Sequence, residues 1–136
     1  GLTLDQLDQA LKLHITPEQL KEITRRAKQG DAIDQTFLGI LYQNGWGGLP
    51  QDYQLAAKWF KLAAEQDVPE AQLILADCYL RGRGVPEDFV LAYVWFNRAS
   101  SHGLEIAEKN KRHTARYMTP DQIAQAQEIS RTHLAA

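Results

Sequence analysis

The amino-acid sequence predicts an all-α fold, a short right-handed superhelix of stacked helix pairs with about eight helices and no strands. Three observations carry this expectation. One segment is repeated in tandem, apolar residues recur at helical period inside each copy, and glycine and proline interrupt both copies at the same point.

The repeat is legible residue by residue. A step of 37 carries Gln35 to Gln72, Leu38 to Leu75, Tyr42 to Tyr79, Gly45 to Gly82 and Gly47 to Gly84. One extra residue in the first copy, most simply Gly48, lowers the step to 36. It then carries Pro50 to Pro86, Asp52 to Asp88, Leu55-Ala56 to Leu91-Ala92, Trp59-Phe60 to Trp95-Phe96 and Ala63 to Ala99. A unit of this kind buries its apolar face only by stacking on its neighbours.

Helices are expected near 4–14, 17–29, 33–44, 53–66, 69–81, 89–101, 104–117 and 120–134. Thr3-Leu-Asp-Gln6, Thr16-Pro-Glu-Gln19 and Thr119-Pro-Asp-Gln122 each spell the T-x-x-Q form of a capping box. The last two also place proline at the first helical position. In the second copy Ala71, Leu75, Cys78 and Tyr79 share one helical face, and the run Gly82-Arg-Gly84-Val-Pro86 ends that helix. Asp88 stands where an N-cap accepts from the next helix. There the small Ala92 and Ala99 flank Trp95, letting a neighbouring helix approach while the indole fills the gap. Upstream, Ile23 and Ala27 lie 36 residues before Trp59 and Ala63. Downstream, Ala107 lies 36 residues after Ala71, but Lys111 takes the leucine position. Both ends are therefore expected to be caps with polar outer faces.

Composition agrees and excludes several functions. The chain has 136 residues, 44% hydrophobic and 24% charged, the mixture of a globular protein and not of a disordered one. A formal net charge of −2 argues against general nucleic-acid binding. No apolar run approaches the roughly 18 residues of a membrane-spanning helix. One cysteine, Cys78, excludes an internal disulfide and a cysteine-cluster metal site, and it suits either cytoplasm or periplasm. The start, Gly1-Leu-Thr-Leu-Asp, shows neither initiator methionine nor signal-peptide pattern, as expected of a trimmed chain. The compartment is left open.

At these residues the sequence resembles the Sel-one-like repeat family, relatives of tetratricopeptide repeats. The first copy matches its pattern at Leu38-Gly39, Tyr42, Gly45, Gly47, Asp52, Ala56, Trp59-Phe60 and Ala63-Ala64. The second matches at Ala71, Leu75, Tyr79, Gly82, Gly84-Val85, Asp88, Ala92, Trp95-Phe96 and Ala99. The tail from Met118 is similar to a terminal helix that follows bacterial members. Asp34 replaces an alanine and Ala76 a glycine, and the missing second cysteine separates this chain from relatives with a disulfide in each unit. The expected organisation is an N-terminal cap over 1–29, repeats over 30–66 and 67–103, and a C-terminal cap over 104–136.

Candidate chemistry is sparse. His14, His102, His113 and His133 lie far apart, and no pair has the spacing of a helical zinc site. Ser100-Ser101-His102 invites a nucleophile-and-base reading, yet adjacent helical residues point in different directions, and the run is expected to be a fraying helix end before Gly103. Cys78 aligns with Leu41 and is expected to be a small buried hydrophobe. The loops around Gly45–Gly48 and Gly82–Gly84 follow helices, as turns do, and not strands, as phosphate loops do. Trp46, which the second copy replaces with Arg83, is either a contact residue or folded over the adjacent helices. Lys109, Arg112 and Arg116 share a helical face within the basic stretch 109–116, which is either a solvated cap or a site for an acidic partner.

The resemblance implies a non-enzymatic module that binds a peptide or protein segment on a concave face lined by the first helix of each unit. The face residues by that analogy are Thr36, Ile40, Gln43 and Asn44, then Leu73, Asp77, Leu80 and Arg81, then Lys109, His113 and Arg116. No cofactor, metal, nucleic acid or membrane insertion is expected. Two alternatives remain: a cell-wall or β-lactam hydrolase, as attributed to some relatives, and a purely structural section of a longer solenoid.

Overall fold

The computed structural model of the protein describes residues 15–135. Seven helices follow one another: α1 Pro17–Lys28, α2 Ala32–Asn44, α3 Tyr53–Glu65, α4 Pro69–Arg81, α5 Phe89–Ser100, α6 Glu105–Ala115 and α7 Pro120–Ala135. Among the described residues there is no strand. The helix expected over 4–14, with its Thr3–Gln6 box, lies outside them.

The caps form as the sequence spells them. Thr16 Oγ1 accepts from the Gln19 backbone N–H while the Gln19 side chain accepts from Thr16 N–H, and Thr119 and Gln122 repeat the exchange. Asp52 and Asp88 each accept at 3.0 Å from the N–H of Leu55 and Leu91. Gly45 and Gly82 close α2 and α4 in left-handed conformation, at φ 67° and 63°. The loop hydrogen bonds also recur, Asp52 N–H to Tyr42 O and Asp88 N–H to Tyr79 O, each at 2.9 Å.

Two closed helix pairs, α2 with α3 and α4 with α5, stack in register as a right-handed α-solenoid, with α1 packed on α2 and α6 on α5. The central core joins Ala56, Phe60, Ala63, Ala64 and Val68 to Ala71, Leu75, Ala76, Cys78, Ala92, Trp95 and Phe96. Alanines on the second helices and Gly39 on α2 allow close approach. A Cβ at Gly39 would lie 2.6 Å from the Phe60 ring, so the ring presses directly on the α2 backbone.

The C-terminal end departs from the repeat. Instead of pairing with α6, α7 packs on α5, where Tyr93 and Val94 meet Met118 and Ala126, with Ile123 and Ile129 alongside. The third first-helix, α6, thus packs chiefly on α5, with Ala115 near its end against the same cluster.

Candidate interaction surface

The first helices are held in register by a polar joint that recurs at each step. Gln35 Nε2 donates to Ala27 O and Gln72 Nε2 to Ala64 O, both at 3.1 Å and both buried. The equivalent third residue is Glu108, which accepts from Ser100 Oγ at 2.8 Å and pairs with Lys111 at 2.9 Å and Arg112 at 3.3 Å. The Lys111 hydrogen bond, and after it the Ser100 hydroxyl, hold the Glu108 carboxyl down at about 2.

The turns preceding these helices have positive φ at equivalent residues, Gly30, Asp67 and Gly103. Asp67, at φ 70°, is the one non-glycine residue with positive φ among those described. Its carboxylate compensates by accepting from Gln72 Nε2 at 2.9 Å and Arg98 Nε at 3.3 Å, with His102 Nε2 at 3.1 Å. Those bonds, Gln72 first and His102 next, hold Asp67 below the ordinary carboxylate range.

On this frame the expected face residues fall in columns: Ile40, Asp77 and His113; Gln43, Leu80 and Arg116; Asn44 and Arg81. Thr36 corrects the expectation. It is buried, and its hydroxyl donates to Ala32 O at 2.9 Å, so it presents no group to a partner. Ile40, Leu73 and Leu80 are half-buried against the core. Gln43 is half-buried and Asn44 exposed, its amide donating to Ile40 O at 2.9 Å. Arg81 Nε meets Asp77 Oδ1 at 2.9 Å, so these two pair along α4.

Lys109 and His113 are exposed on α6, and Arg116 is exposed at its C-cap. With Glu105 and Arg112 they line a shallow depression of about 290 Å³. The sequence reading put Arg112 on the same face as Lys109 and Arg116 but omitted it from the binding set; it belongs to this depression. Lys111, in the leucine register, is largely covered, and its ammonium donates to Asn97 Oδ1 at 3.0 Å, pairs with Glu108 and lies 5.8 Å from the Tyr93 ring centroid.

The remaining candidates resolve into structure. Ser100 Oγ donates to Glu108, Ser101 Oγ donates to Arg98 O at 2.6 Å, and His102 presents Nε2 to Asp67. Neither serine hydroxyl is directed at the imidazole. Cys78 is buried in the core, which pushes its thiol up to about 11. Trp46 folds over Leu38 and Leu41, while Arg83 lies 5.1 Å from the Tyr53 ring centroid of the preceding unit. No cluster of three or more histidine, cysteine, aspartate or glutamate side chains could hold a metal ion among the described residues. Nor is any of their helices long and apolar enough to cross a membrane.

Two closed helix pairs in register, joined by recurrent polar contacts, define a helical-repeat solenoid of the kind that typically serves as a protein–protein interaction scaffold. The profile of the Sel1 repeat matches residues 32–68 and again residues 69–104, more than half of the chain, which therefore belongs to the Sel1 repeat family. A crystal structure of c5321, described as a protective antigen of uropathogenic Escherichia coli strains displaying an SLR fold, superposes with a TM-score of 0.81 at 31% identity. The match covers 87% of this chain and 25% of that one. A Sel1 repeat protein from Oxalobacter formigenes superposes with a TM-score of 0.65 at 37% identity, covering 67% of this chain and 26% of the other. Over 67 residues the sequence is 30% identical to the ERAD-associated E3 ubiquitin-protein ligase component HRD3A of Arabidopsis thaliana, covering 49% of this chain and 10% of the plant protein. The chain thus spans about a quarter of either bacterial chain.

Proposed function

We propose that this chain is a non-enzymatic interaction module that binds a peptide or protein segment along the first helices of its repeats. The supporting observation is the column arrangement. Successive first helices present Ile40, Asp77 and His113, then Gln43, Leu80 and Arg116, at equivalent positions on a rigid joint, while the alanine-rich second helices are spent on the core. Asn44 and Arg81 extend the same surface. Mixed polar groups and half-exposed aliphatic side chains suit a peptide segment better than a small polar metabolite. The plant relative is named as a component of a ubiquitin-protein ligase, which accords with a role in assembly with other proteins.

The test is affinity capture from the source lysate with the immobilised chain, followed by the double variant Asn44→Ala/Arg81→Ala. Both residues are exposed, so the variant should melt with the parent. Exposed polar contacts contribute up to about 1 kcal/mol each, so the pair should weaken a captured partner by roughly tenfold. A partner held as tightly by the variant places the binding surface elsewhere.

A further inference from the structure

The register of the repeat shows what sets α6 apart. In α4, Ala76 is buried in the core and Leu73 and Leu80 pack half-buried against it; in α2 the residue equivalent to Ala76 is Gly39, against Phe60. A step of 36 from α4 lands on Lys109, Arg112 and Arg116. Three small or apolar side chains have become three cations along one face, at i, i+3 and i+7. No helix of this composition can take an apolar partner at the distance that Gly39 and Ala76 permit. Helix α7 lies on α5, and none of the described helices takes the second-helix position of the third unit. Arg112 is 76% exposed and pairs with Glu108, whose charge is shared with Lys111. Among the described residues no ion pair engages Lys109, His113 or Arg116, and Glu105 is the one acid lining the depression.

We infer that this position is a docking site for an acidic helix of a partner protein, which completes the third helix pair in trans. Charge complementarity fixes the occupant. Carboxylates spaced i, i+3 or i+4, and i+7 would meet Lys109, Arg112 and Arg116 in turn, with guanidinium groups taking carboxylates in paired hydrogen bonds. His113 and Tyr117, rings 5.4 Å apart and edge to face, would flank the helix at its end. The inference rests on the reading of the chain as a protein-binding module and assigns one face of it to one class of segment.

The experiment uses the full chain and a fluorescein-labelled alanine-based helical peptide with glutamates at that spacing, a lysine peptide of equal length as control, and the variant Lys109→Ala/Arg112→Ala/Arg116→Ala. The glutamate peptide should bind the parent, lose at least tenfold on the variant, and weaken as salt rises from 50 to 300 mM. The lysine peptide should not bind. Amide-shift perturbations should cluster over residues 105–117. If the triple variant melts early, Arg112→Ala alone should still lower affinity several-fold. Absent binding, binding indifferent to these changes, or perturbations centred on Asn44 and Arg81 would each overturn the inference. So would a parent that sediments as a dimer dispersed by the triple variant, since the occupant is then a second copy. Capture of a native partner that depends on Asn44 and Arg81 would keep the proposed function standing while this inference falls.

Discussion

Gly84 holds a φ of 80°, and a Cβ added there would lie 2.1 Å from the carbonyl oxygen of Tyr53, at the start of the preceding unit's second helix. The obstacle is backbone, so no rotamer change relieves it. Gly84→Ala combines a left-handed cost of about 1–2 kcal/mol with an overpacking cost of about 1–3 kcal/mol. A loss of roughly 3 kcal/mol and a clearly lower Tm are expected. Gly48 is the internal control, having a similar φ of 81° and nothing within 4 Å of its added Cβ, so Gly48→Ala should lose only the first term. Equal melting of the two variants would show that the loop does not clamp one unit on the next. Trp95, 5% exposed within the central core and tilted against His133 at 5.6 Å, occupies a site of the opposite kind. Trp95→Ala removes a large buried ring and should cost about 3–5 kcal/mol, read as a shift in denaturant midpoint. An unchanged midpoint would remove the packing role inferred from the repeat.

Between elements, the joint that sets each first helix depends on hydrogen-bond polarity. Gln72 faces two acceptors, Ala64 O and Asp67 Oδ1, so only its amide NH₂ suits the position. Glu108, in the same register, faces the Ser100 hydroxyl, Lys111 and Arg112, all donors. Gln72→Glu would bury a carboxylate against those two oxygens and should destabilise by about 2–3 kcal/mol, less at acid pH where it protonates. Glu108→Gln keeps a hydrogen bond at a part-exposed site and should cost under about 1 kcal/mol near neutrality. It should also remove a pH dependence. The parent's Glu108 is lowered from 4.5 to about 2, so its contribution is present above the unfolded value and is lost as pH falls from about 4.5 towards 2. Similar losses for both variants at pH 7, or identical acid unfolding of parent and Glu108→Gln, would contradict this account. The helices themselves were legible in the sequence because caps and breakers are local signals; α4, for instance, runs Pro69–Arg81 as expected over 69–81. The joint was not, although Gln35 and Gln72 were visible as a repeated pair. Nothing local reveals that a glutamine is buried against a carbonyl, or that Asp67, which the repeat aligns with Gly30 and Gly103, holds a positive φ by gathering Gln72, Arg98 and His102.

At the scale of the whole molecule, the repeat predicted a stack with polar ends but left the path of its last helix undetermined. Thr119 and Pro120 fix where α7 begins, not what it covers. The signal was present in the register, since Arg112 and Lys109 stand where α4 has Ala76 and Leu73, but the sequence reading compared only Ala107 and Lys111 across that step. Basic residues there keep α6 from recruiting an apolar partner, because pairing with one would desolvate their charges. Lys109→Leu/Arg112→Ala/Arg116→Leu restores the α4 set of Leu73, Ala76 and Leu80 and so tests the cap directly. The new face would expose two leucines beside the half-buried positions of α6, a surface that gains by being covered. Each fully buried leucine contributes about 1.5–3 kcal/mol, so a symmetric pair of copies covering four leucines gains about 6–12 kcal/mol against the freedom lost on association. Sedimentation velocity should therefore show larger species that grow with concentration, and the variant should melt no lower than the parent because the replaced cations are exposed. A variant that sediments like the parent across the same range would mean that the cations of α6 do not keep this face from being covered. The departure of α7 towards α5 would then have to be driven by Tyr93, Val94, Met118 and Ala126 alone.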